Sequence, residues 1–316
     1  MNSTLGNVVA LAGGVGGAKL AYGLYQLVPP EKLTVIVNTG DDFDHLGLHI
    51  SPDLDTVMYT LAGLANPTTG WGVKDESWNM MAALARYGQP TWFQLGDRDL
   101  ATHLLRSKWL REGYPYNWVT RELSKRLGVR CTILPMSENP VRTMIMTKEG
   151  EIAFQEYFVQ KQCQPVVKAI RFAGIEAARP SREVASALRN ADVIIFCPSN
   201  PLLSLDPILA LPTLGRIIAA SRVPKIAVSP IVGGIALKGP AAKIMTELGM
   251  EVSPIGVAQY LKEVLTGFVL DHVDQAYQDE ISDLGLRTLV TGTIMTNNED
   301  RVRLAQEVLD FAQVKG

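Results

Sequence analysis

The sequence has 316 residues, of which 47% are hydrophobic and 20% charged, and its formal net charge is −2. A chain of this kind can bury a large core as one sizeable domain or two. The lack of a basic excess argues against nucleic-acid binding, and no apolar run has membrane-spanning length. The first residues, MNSTLGNVV, lack the basic and apolar regions of a signal peptide. Three cysteines without metal-ligand spacing favour reduced thiols, so we expect a cytoplasmic protein.

A glycine-rich stretch near the N-terminus is the first sign of a ligand site. Residues 8–12 predict a buried strand and residues 18–27 predict a helix. The turn between them contains Gly13, Gly14, Gly16 and Gly17. A helix N-terminus binds anions through its N–H groups and its dipole, and Lys19 adds a full positive charge. The stretch therefore predicts a phosphate site, although it departs from the dinucleotide and Walker patterns and a tight turn alone would also explain the glycines.

An acidic segment follows the second predicted strand, residues 33–38. The segment, residues 39–56, contains Asp41, Asp42, Asp44, Asp53 and Asp55. Ligands of open α/β sheets bind beyond the carboxyl ends of strands, and Mg²⁺ takes carboxylates together with phosphate oxygens. The acidic segment beside the glycine turn thus predicts a magnesium site. Helix capping by Asp53 and a turn at Asp41 would explain only part of the cluster.

Residues 56–128 lack strong strand signals and predict a helical lobe inserted between strands. Within it, residues 94–107 predict a helix capped by Asp97. The apolar face of this helix would hold Leu100, Leu104 and Leu105. Its surface would hold Arg98, His103 and Arg106. The aromatic residues of the lobe either belong to the core or form the wall for a planar ligand; they are Trp71, Trp78, Trp92, Phe93 and Trp109.

Apolar runs resume after residue 128 and predict the rest of the sheet. We expect strands at residues 129–135, 141–147, 149–159, 191–197, 225–230, 266–271 and 286–291. A hairpin is expected at Lys148–Gly150, and a final helix from Asn298 to about Gln313. Several strand ends carry glycine, serine or asparagine, which indicates one crevice built from several loops. The sequence thus predicts one Rossmann-like α/β domain over residues 1–316, with a mostly parallel sheet flanked by helices and a helical lobe at about 56–128.

A series of motifs extends over nearly the whole chain. In order, they are GGVGGAKL, NTGDD, SPDLDTVMYTLAG, LGDRDLATHLLRS, ILPMS, FQEYFV, PSNPLLSLDPIL and SPIVGG with GPAAKIM. This series resembles the 2-phospho-L-lactate transferase family, whose bacterial members are phosphoenolpyruvate transferases of coenzyme F-420 biosynthesis. The resemblance implies a Mg²⁺-dependent, dimeric enzyme. In the implied reaction, the deazaflavin Fo attacks a guanosine diphosphate-activated phospholactate or enolpyruvate, GMP leaves, and the phosphodiester of the (dehydro) F-420-0 precursor forms.

The resemblance also implies roles for individual residues. Asp41 and Asp55 would be the catalytic residues and the Mg²⁺ ligands, with Asp55 beside the Fo hydroxyl. Gln94 would contact Fo, where other members have a lysine or a small residue, and Arg98 and Asp99 would shape the same pocket. The full set of expected substrate-binding residues is Gly13, Gly14, Gly16, Gly17, Lys19, Asn38, Thr39, Asp42, Asp53, Thr56, Gln94, Arg98, Asp99, Ser199, Asn200, Ser229 and Gly233.

Two other functions compete with the transferase. A sugar-nucleotide-binding regulator of the same superfamily would share the glycine turn and the GDD and serine-asparagine-proline motifs. The intact LGDRD–ATH segment and the aromatic-rich lobe favour the transferase. A binding-only or NAD-dependent protein is disfavoured, because an aspartate cluster replaces the single acidic residue that would bind a ribose. The segment Gly70–Asn79 resembles bacterial members and favours the enolpyruvate donor over phospholactate.

Overall fold

The computed structural model describes residues 6–236 and 239–313. Its strands are β1 (Val8–Ala12), β2 (Leu33–Val37), β3 (Phe43–His45), β4 (Leu48–Ile50), β5 (Thr132–Pro135), β6 (Arg142–Thr147), β7 (Gly150–Ala153), β8 (Ala169–Ala173), β9 (Val193–Phe196), β10 (Lys225–Val228), β11 (Ile231–Val232), β12 (Ile235–Ala236), β13 (Gly267–Asp271) and β14 (Arg287–Thr291). Its helices are α1 (Gly14–Leu27), α2 (Pro52–Leu61), α3 (Asn79–Arg86), α4 (Asp99–Arg111), α5 (Tyr116–Arg126), α6 (Arg182–Arg189), α7 (Asp206–Ala210), α8 (Pro212–Ala220), α9 (Ala241–Glu247), α10 (Pro254–Leu261), α11 (Gln278–Asp283) and α12 (Asn298–Gln313).

Seven strands form one parallel sheet in the order β14-β13-β10-β9-β1-β2-β5. Its central strands are apolar and buried, as expected for a parallel sheet covered by helices on both faces. From β1 the chain moves outward to β2 and β5, and later returns to β9 on the other side of β1. The direction therefore reverses between β1 and β9, and a crevice opens at such a switch point beyond the strand ends. The prediction of an α/β fold is confirmed.

Two apolar cores lie on the opposite faces of this sheet. One contains Leu20 of α1, Val57 of α2 and Leu304 of α12. The other contains residues of α6, α8, α9 and α10. Trp109 of α4 and Val119 of α5 belong to the first core. The helical segment before β5 is therefore partly built onto the main core, and its description as a substrate-binding lobe stays a prediction.

Four differences between the sequence-based elements and the structure concern the region of the sheets and the glycine turn. The strand predicted for residues 149–159 stops at Ala153, because a π-helical turn, Glu156–Gln160, buries Tyr157 in the core. Strand β8 was not predicted; it pairs with β6 in a separate three-stranded sheet. Hairpin β3–β4 lies within the acidic segment and was not predicted either. Helix α1 begins at Gly14, four residues before the expected start, so most of the glycine turn is its first turn.

Two expectations from composition concern membranes and thiols. Within residues 6–236 and 239–313, no single helix is long and apolar enough to cross a membrane. Only the pair Pro201–Ala210 and Pro212–Ala220, bent by 90° at its junction, has the necessary length and composition when taken together. Cys131, Cys163 and Cys197 are free thiols, and Cys131 and Cys197 are buried. Burial raises the pKa of Cys131 to about 12, so this thiol stays protonated and unreactive near neutral pH.

Candidate functional site

The glycine turn closes the crevice between β1 and β9. The Gly13 N–H donates to Ser199 Oγ at 3.1 Å, and this hydroxyl donates back to the Gly13 carbonyl oxygen at 2.9 Å. The Gly14 N–H donates to Asp53 Oδ1 at 2.8 Å. Capping of α2 was the alternative explanation for Asp53, but its carboxylate instead caps the start of α1. One anion position at this helix N-terminus is therefore already taken by a side chain of the protein.

Two of the glycines are required for close packing. A Cβ on Gly16 would lie 2.2 Å from the Pro198 carbonyl oxygen, and one on Gly17 would lie 2.6 Å from Ser199 Oγ. Larger residues at either position would push α1 away from the end of β9. By helix geometry, the N–H groups of Val15 and Gly16 in the first turn have no intrahelical acceptor, so they are the groups that could bind a phosphate.

Lys19 was expected to contact a phosphate at the glycine turn, but its side chain is directed toward α12. Its Nζ donates to the Met295 carbonyl oxygen at 2.7 Å, and its side chain lines a pocket together with Arg301 of α12. None of the aspartates of the acidic segment lines that pocket. The structure therefore does not bring Lys19 together with the carboxylates at the crevice.

Three aspartates of the acidic segment form a buried cluster. Asp41 and Asp53 are each 7% exposed and Asp42 is 2% exposed. Burial raises the pKa of Asp41 well above its usual range, and the neighbouring charge of Asp53 raises it further. Burial also raises the pKa of Asp53 to about 6, against hydrogen bonds from Asn38 and Gly14 that lower it. The Asn38 side chain donates to Asp53 Oδ2 at 3.0 Å and fixes this carboxylate.

Several oxygens of this cluster lack a hydrogen-bond partner. Among the described residues, no donor reaches Asp41 Oδ1, Asp42 Oδ1 or Thr39 Oγ1, and all three atoms are buried. Buried carboxylate oxygens without donors are costly unless a cation or a proton compensates them. Hard oxygen ligands of this kind suit Mg²⁺. The donor set at Asp41 therefore fits the predicted ion.

Asp42 has partners that were not predicted from the sequence. The Tyr116 hydroxyl, at the start of α5, donates to Asp42 Oδ2 at 2.6 Å and also contacts the Ser51 hydroxyl. His49 Nε2 lies 3.2 Å from the same carboxylate oxygen. Side chains from α5 and β4 thus hold Asp42 Oδ2. Because the carboxylate is rigid, the same contacts also fix the position of Oδ1.

Asp55 lies in a second network, formed with α4. The Arg106 guanidinium makes a bidentate contact with the two Asp55 oxygens, one of them at 3.0 Å. Arg106 Nη1 also donates to His103 Nδ1 at 3.3 Å, so the ring carries its proton on Nε2, 3.2 Å from Asp99 Oδ1. The Tyr59 hydroxyl donates to the same Asp99 oxygen at 2.6 Å. Burial would lower the pKa of Arg106, but the Asp55 charge more than offsets this and keeps it cationic.

This second network has metal-like spacing but already contains a cation. Ligand atoms of Asp55, Asp99 and His103 lie within 4.8 Å of one another. The buried guanidinium of Arg106 neutralises Asp55, and a divalent ion there would be repelled by it. Asp41 and Asp55, predicted as joint ligands, have different partners: Asp41 interacts with Asp53 and Asp42, and Asp55 with Arg106.

The predicted exposure of α4 was wrong for most of its residues. His103 and Arg106 are each 1% exposed, whereas Leu104 is 49% and Leu105 37% exposed. The helix buries its polar face because that face meets Asp55. The spacing of Asp99, His103 and Arg106 at i, i+4 and i+7 is the signal that could have shown this.

The expected cap of α4 was also wrong. Asp97 instead accepts the N–H groups of Asn79 and Met80, and so caps α3. These hydrogen bonds, together with one from the Ser77 hydroxyl, lower the pKa of the Asp97 carboxyl. The carboxylate thereby ties the start of α3 to the segment that leads into α4.

The aromatic residues of the helical segment divide into three groups. Trp109 is part of the core, while Trp71 and Trp78 are about half exposed. Trp92 and Phe93 pack with hairpin β3–β4: the ring centroids of Phe93 and Phe43 are 4.8 Å apart, and those of Trp92 and His45 5.3 Å. This half-buried group lies directly before Gln94, whose exposed side chain donates to the Thr91 carbonyl oxygen. Phe43 and Phe93 pack against the small apolar cluster of Ile50, Met81 and Leu95, so a role of the aromatic group as the wall of a planar-ligand site stays a prediction.

The remaining predicted site residues are placed by internal contacts. Asn200 caps the turn Pro201–Leu205, and the Ser229 hydroxyl bonds the backbone of Ile231. The Gly233 N–H donates to Asp274, so it is occupied. Thr56 is buried in α2, and the exposed Arg98 donates to the Lys74 carbonyl oxygen.

Comparisons with known proteins give one consistent result. The family model described as 2-phospho-L-lactate transferase CofD matches residues 8–291. The phosphoenolpyruvate transferase of Streptomyces griseus is 41% identical over 312 residues, covering 97% of this chain and 98% of the relative. The 2-phospho-L-lactate transferase of Methanosarcina mazei is 37% identical over 302 residues, covering 96% of this chain and 99% of the relative. A crystal structure of a UPF0052-family protein from Bacillus halodurans shares the fold, with a TM-score of 0.62 and 17% identity over 96% of this chain and 98% of that one.

Proposed function

Because the chain belongs to the 2-phospho-L-lactate transferase CofD family and is a transferase of the F-420 pathway, we propose that the deazaflavin Fo is its acceptor. The donor is guanylyl-activated phospholactate or phosphoenolpyruvate, in which the two phosphates and the guanosine form a guanosine diphosphate unit. A hydroxyl of Fo attacks the phosphorus that carries the acid, the bond to the GMP phosphate breaks, and GMP leaves. The product is F-420-0 or its dehydro form. Resemblance of Gly70–Asn79 to bacterial members favours the enolpyruvate donor.

The observation that carries this proposal is the buried carboxylate cluster next to the start of α1. Asp41 and Asp42 present buried oxygens that no donor of the described residues reaches, as does the Thr39 hydroxyl. We propose that Mg²⁺ is held by Asp41, with Asp42 and Thr39 as further oxygens. Asp55, the other expected ligand, would have to share its oxygens with Arg106. When bound, the ion would neutralise charge on the diphosphate and the departing GMP.

The protein itself would hold the two substrates on either side of this cluster. The free N–H groups in the first turn of α1 would donate hydrogen bonds to the phosphate oxygens of the donor substrate. Fo would lie against the aromatic group of Phe43, Trp92 and Phe93, near Gln94. Asp55, fixed by Arg106 and His103, would orient the attacking hydroxyl and accept its proton. Binding on opposite sides places the nucleophile and the phosphorus within reach of each other.

The test is an assay of the purified protein with Fo, Mg²⁺ and each activated donor in parallel. We expect Fo to be converted to a more acidic product, separable by chromatography, together with one GMP for each Fo consumed. Chelation of Mg²⁺ should stop the conversion. The donor with the higher kcat/KM identifies the native reaction. Tight guanine-nucleotide binding with no Fo conversion from either donor would contradict the transferase reaction and favour the regulatory function.

A further inference from the structure

A pocket of about 270 Å³ lies beside the outer face of α1. Val15, Lys19 and Tyr22, spaced at i, i+4 and i+7, form its floor on one side of this helix. Thr60 of α2 and Arg301 of α12 contribute to the walls, and the turn at residues 65–70 lines its edge. The pocket therefore joins three helices of one face of the sheet. It shares no lining residue with the carboxylate cluster.

The two charged residues that line this pocket are both positive. Lys19 and Arg301 line it, and no aspartate or glutamate of the described residues does. The Arg301 guanidinium is held over the Tyr22 ring, 5.4 Å from its centroid. Its Nε is buried and has no hydrogen-bond partner among the described residues. Lys19 is fixed at the wall by its contact with the Met295 carbonyl oxygen. Two ordered cations in a cavity without a carboxylate favour an anion as its occupant.

The start of α12 adds to the positive electrostatic potential of the pocket. Asn298, the first residue of α12, lines the pocket, so the positive end of the helix dipole is directed at it. Neither of the two acidic residues of this turn, Glu299 and Asp300, lines the pocket. The Asp300 carboxylate accepts the N–H of the lining residue Thr296 at 2.9 Å and its hydroxyl at 2.5 Å. The lining itself thus presents two cations and the start of a helix, and no carboxylate.

We propose that this pocket binds the phosphate group of a small ligand, with Arg301 and Lys19 as its cationic contacts. Two sources would supply that chemistry. One is the guanine nucleotide itself, since Val15 belongs both to the pocket and to the glycine turn. The other is a separate phosphorylated metabolite. Only the first source depends on the proposed function, and neither requires turnover or Fo.

Titration calorimetry with inorganic pyrophosphate and with GDP tests the proposal. Arg301→Gln removes the cation, and we expect it to weaken pyrophosphate binding by about tenfold. Asn298→Asp places a carboxylate at the pocket, where the helix N-terminus tolerates it, and should weaken binding without unfolding the protein. Arg182→Gln, an exposed arginine in the first turn of α6, is the matched control and should change nothing.

Pyrophosphate and GDP together distinguish the two sources of the phosphate, the guanine nucleotide and a separate metabolite. A parallel loss of GDP affinity in both variants assigns the pocket to the nucleotide. Pyrophosphate binding that persists at saturating GDP and is lost in the variants assigns it to a separate metabolite. If neither variant changes the affinity for pyrophosphate or GDP, or if the wild-type protein binds neither ligand, the pocket is not a phosphate site. Because these measurements omit Fo, their failure is distinct from a failure of the transferase assay.

Discussion

At the scale of single residues, Asp41 is a buried carboxyl with an unfavourable electrostatic environment. Its carboxyl is buried beside Asp53 and Asp42, and its pKa is raised for that reason. Such a residue is unfavourable for folding until a cation or a proton compensates it. The proposed metal would therefore have both a catalytic and a stabilising effect.

Replacing Asp41 separates these two effects. We expect Asp41→Asn to abolish Mg²⁺-dependent turnover and to raise the unfolding temperature without Mg²⁺, because one buried negative charge is removed. The stabilisation that Mg²⁺ gives the wild-type protein should disappear. Thermal melts with and without MgCl₂ measure the effect on stability, and the Fo assay measures the effect on turnover. Asp44→Asn, in the hairpin that follows Asp41 and with a 72% exposed side chain, is the control. Retained turnover in Asp41→Asn would rule out Asp41 as a ligand.

The Asp55–Arg106 pair predicts strongly non-additive mutations. Arg106→Met alone leaves Asp55 buried without its cation and should lower the free energy of unfolding by about 3–5 kcal/mol. In the double variant Asp55→Asn/Arg106→Met no charge is stranded, and most of that loss should be recovered. Urea unfolding of the two single variants and the double variant gives the coupling energy. Additive losses would mean that the buried pair does not operate as a unit.

At the scale of elements, the glycine turn joins α1 to the end of β9. Gly16→Ala would force a Cβ against the Pro198 carbonyl oxygen, so we expect a loss of about 1–3 kcal/mol in the free energy of unfolding. GDP affinity should fall as well, since the first turn of α1 would be displaced. Gly292→Ala is the control, because its Cβ would meet only the flexible end of Arg303 at 3.4 Å. Equal stabilities of the two variants would contradict the packing role.

The contact between α7 and α10 predicts a pH dependence of stability. Burial raises the pKa of Asp206 to about 6, and the hydrogen bond from the Tyr260 hydroxyl limits the rise. The folded state thus binds this proton more tightly than the unfolded state, whose pKa is near 3.8. The free energy of unfolding should therefore fall as pH rises from about 4 to 6, by about 1–3 kcal/mol.

Asp206→Asn removes this titration while keeping the partner of Tyr260. Denaturant unfolding between pH 4 and pH 7 should show a flatter profile for the variant than for the wild-type protein. Identical slopes in the two proteins would contradict a raised pKa at Asp206.

Local sequence patterns were sufficient for most of the central sheet. Apolar runs bounded by turn residues located its strands because both faces of each strand are buried. The site residues depend on contacts that no local pattern contains. Asp53 caps a helix 39 positions earlier, and Arg106 neutralises an aspartate 51 positions away. The leucines of α4 predicted the wrong buried face, because hydrophobicity alone does not show that a buried carboxylate requires a cation.

At the scale of the whole molecule, the homodimer and the cytoplasmic location stay predictions. Sedimentation equilibrium at micromolar concentration should give twice the mass of the chain, as the resemblance to the family implies. A single-chain mass that is independent of concentration would contradict the dimer.

The position of β1 at the centre of the sheet also affects how the protein is made. β1 leaves the ribosome before the other strands of the sheet, but Gly13 bonds with Ser199, 186 positions later in the chain. At about 5–20 residues per second, translation needs about 10–40 s to supply that partner. During this interval β1 can pair with β2 only, and its other edge is open to wrong partners. The crevice is therefore completed late in synthesis, and chaperone protection of the nascent N-terminal half should matter more for its yield than for that of a sheet built in sequence order.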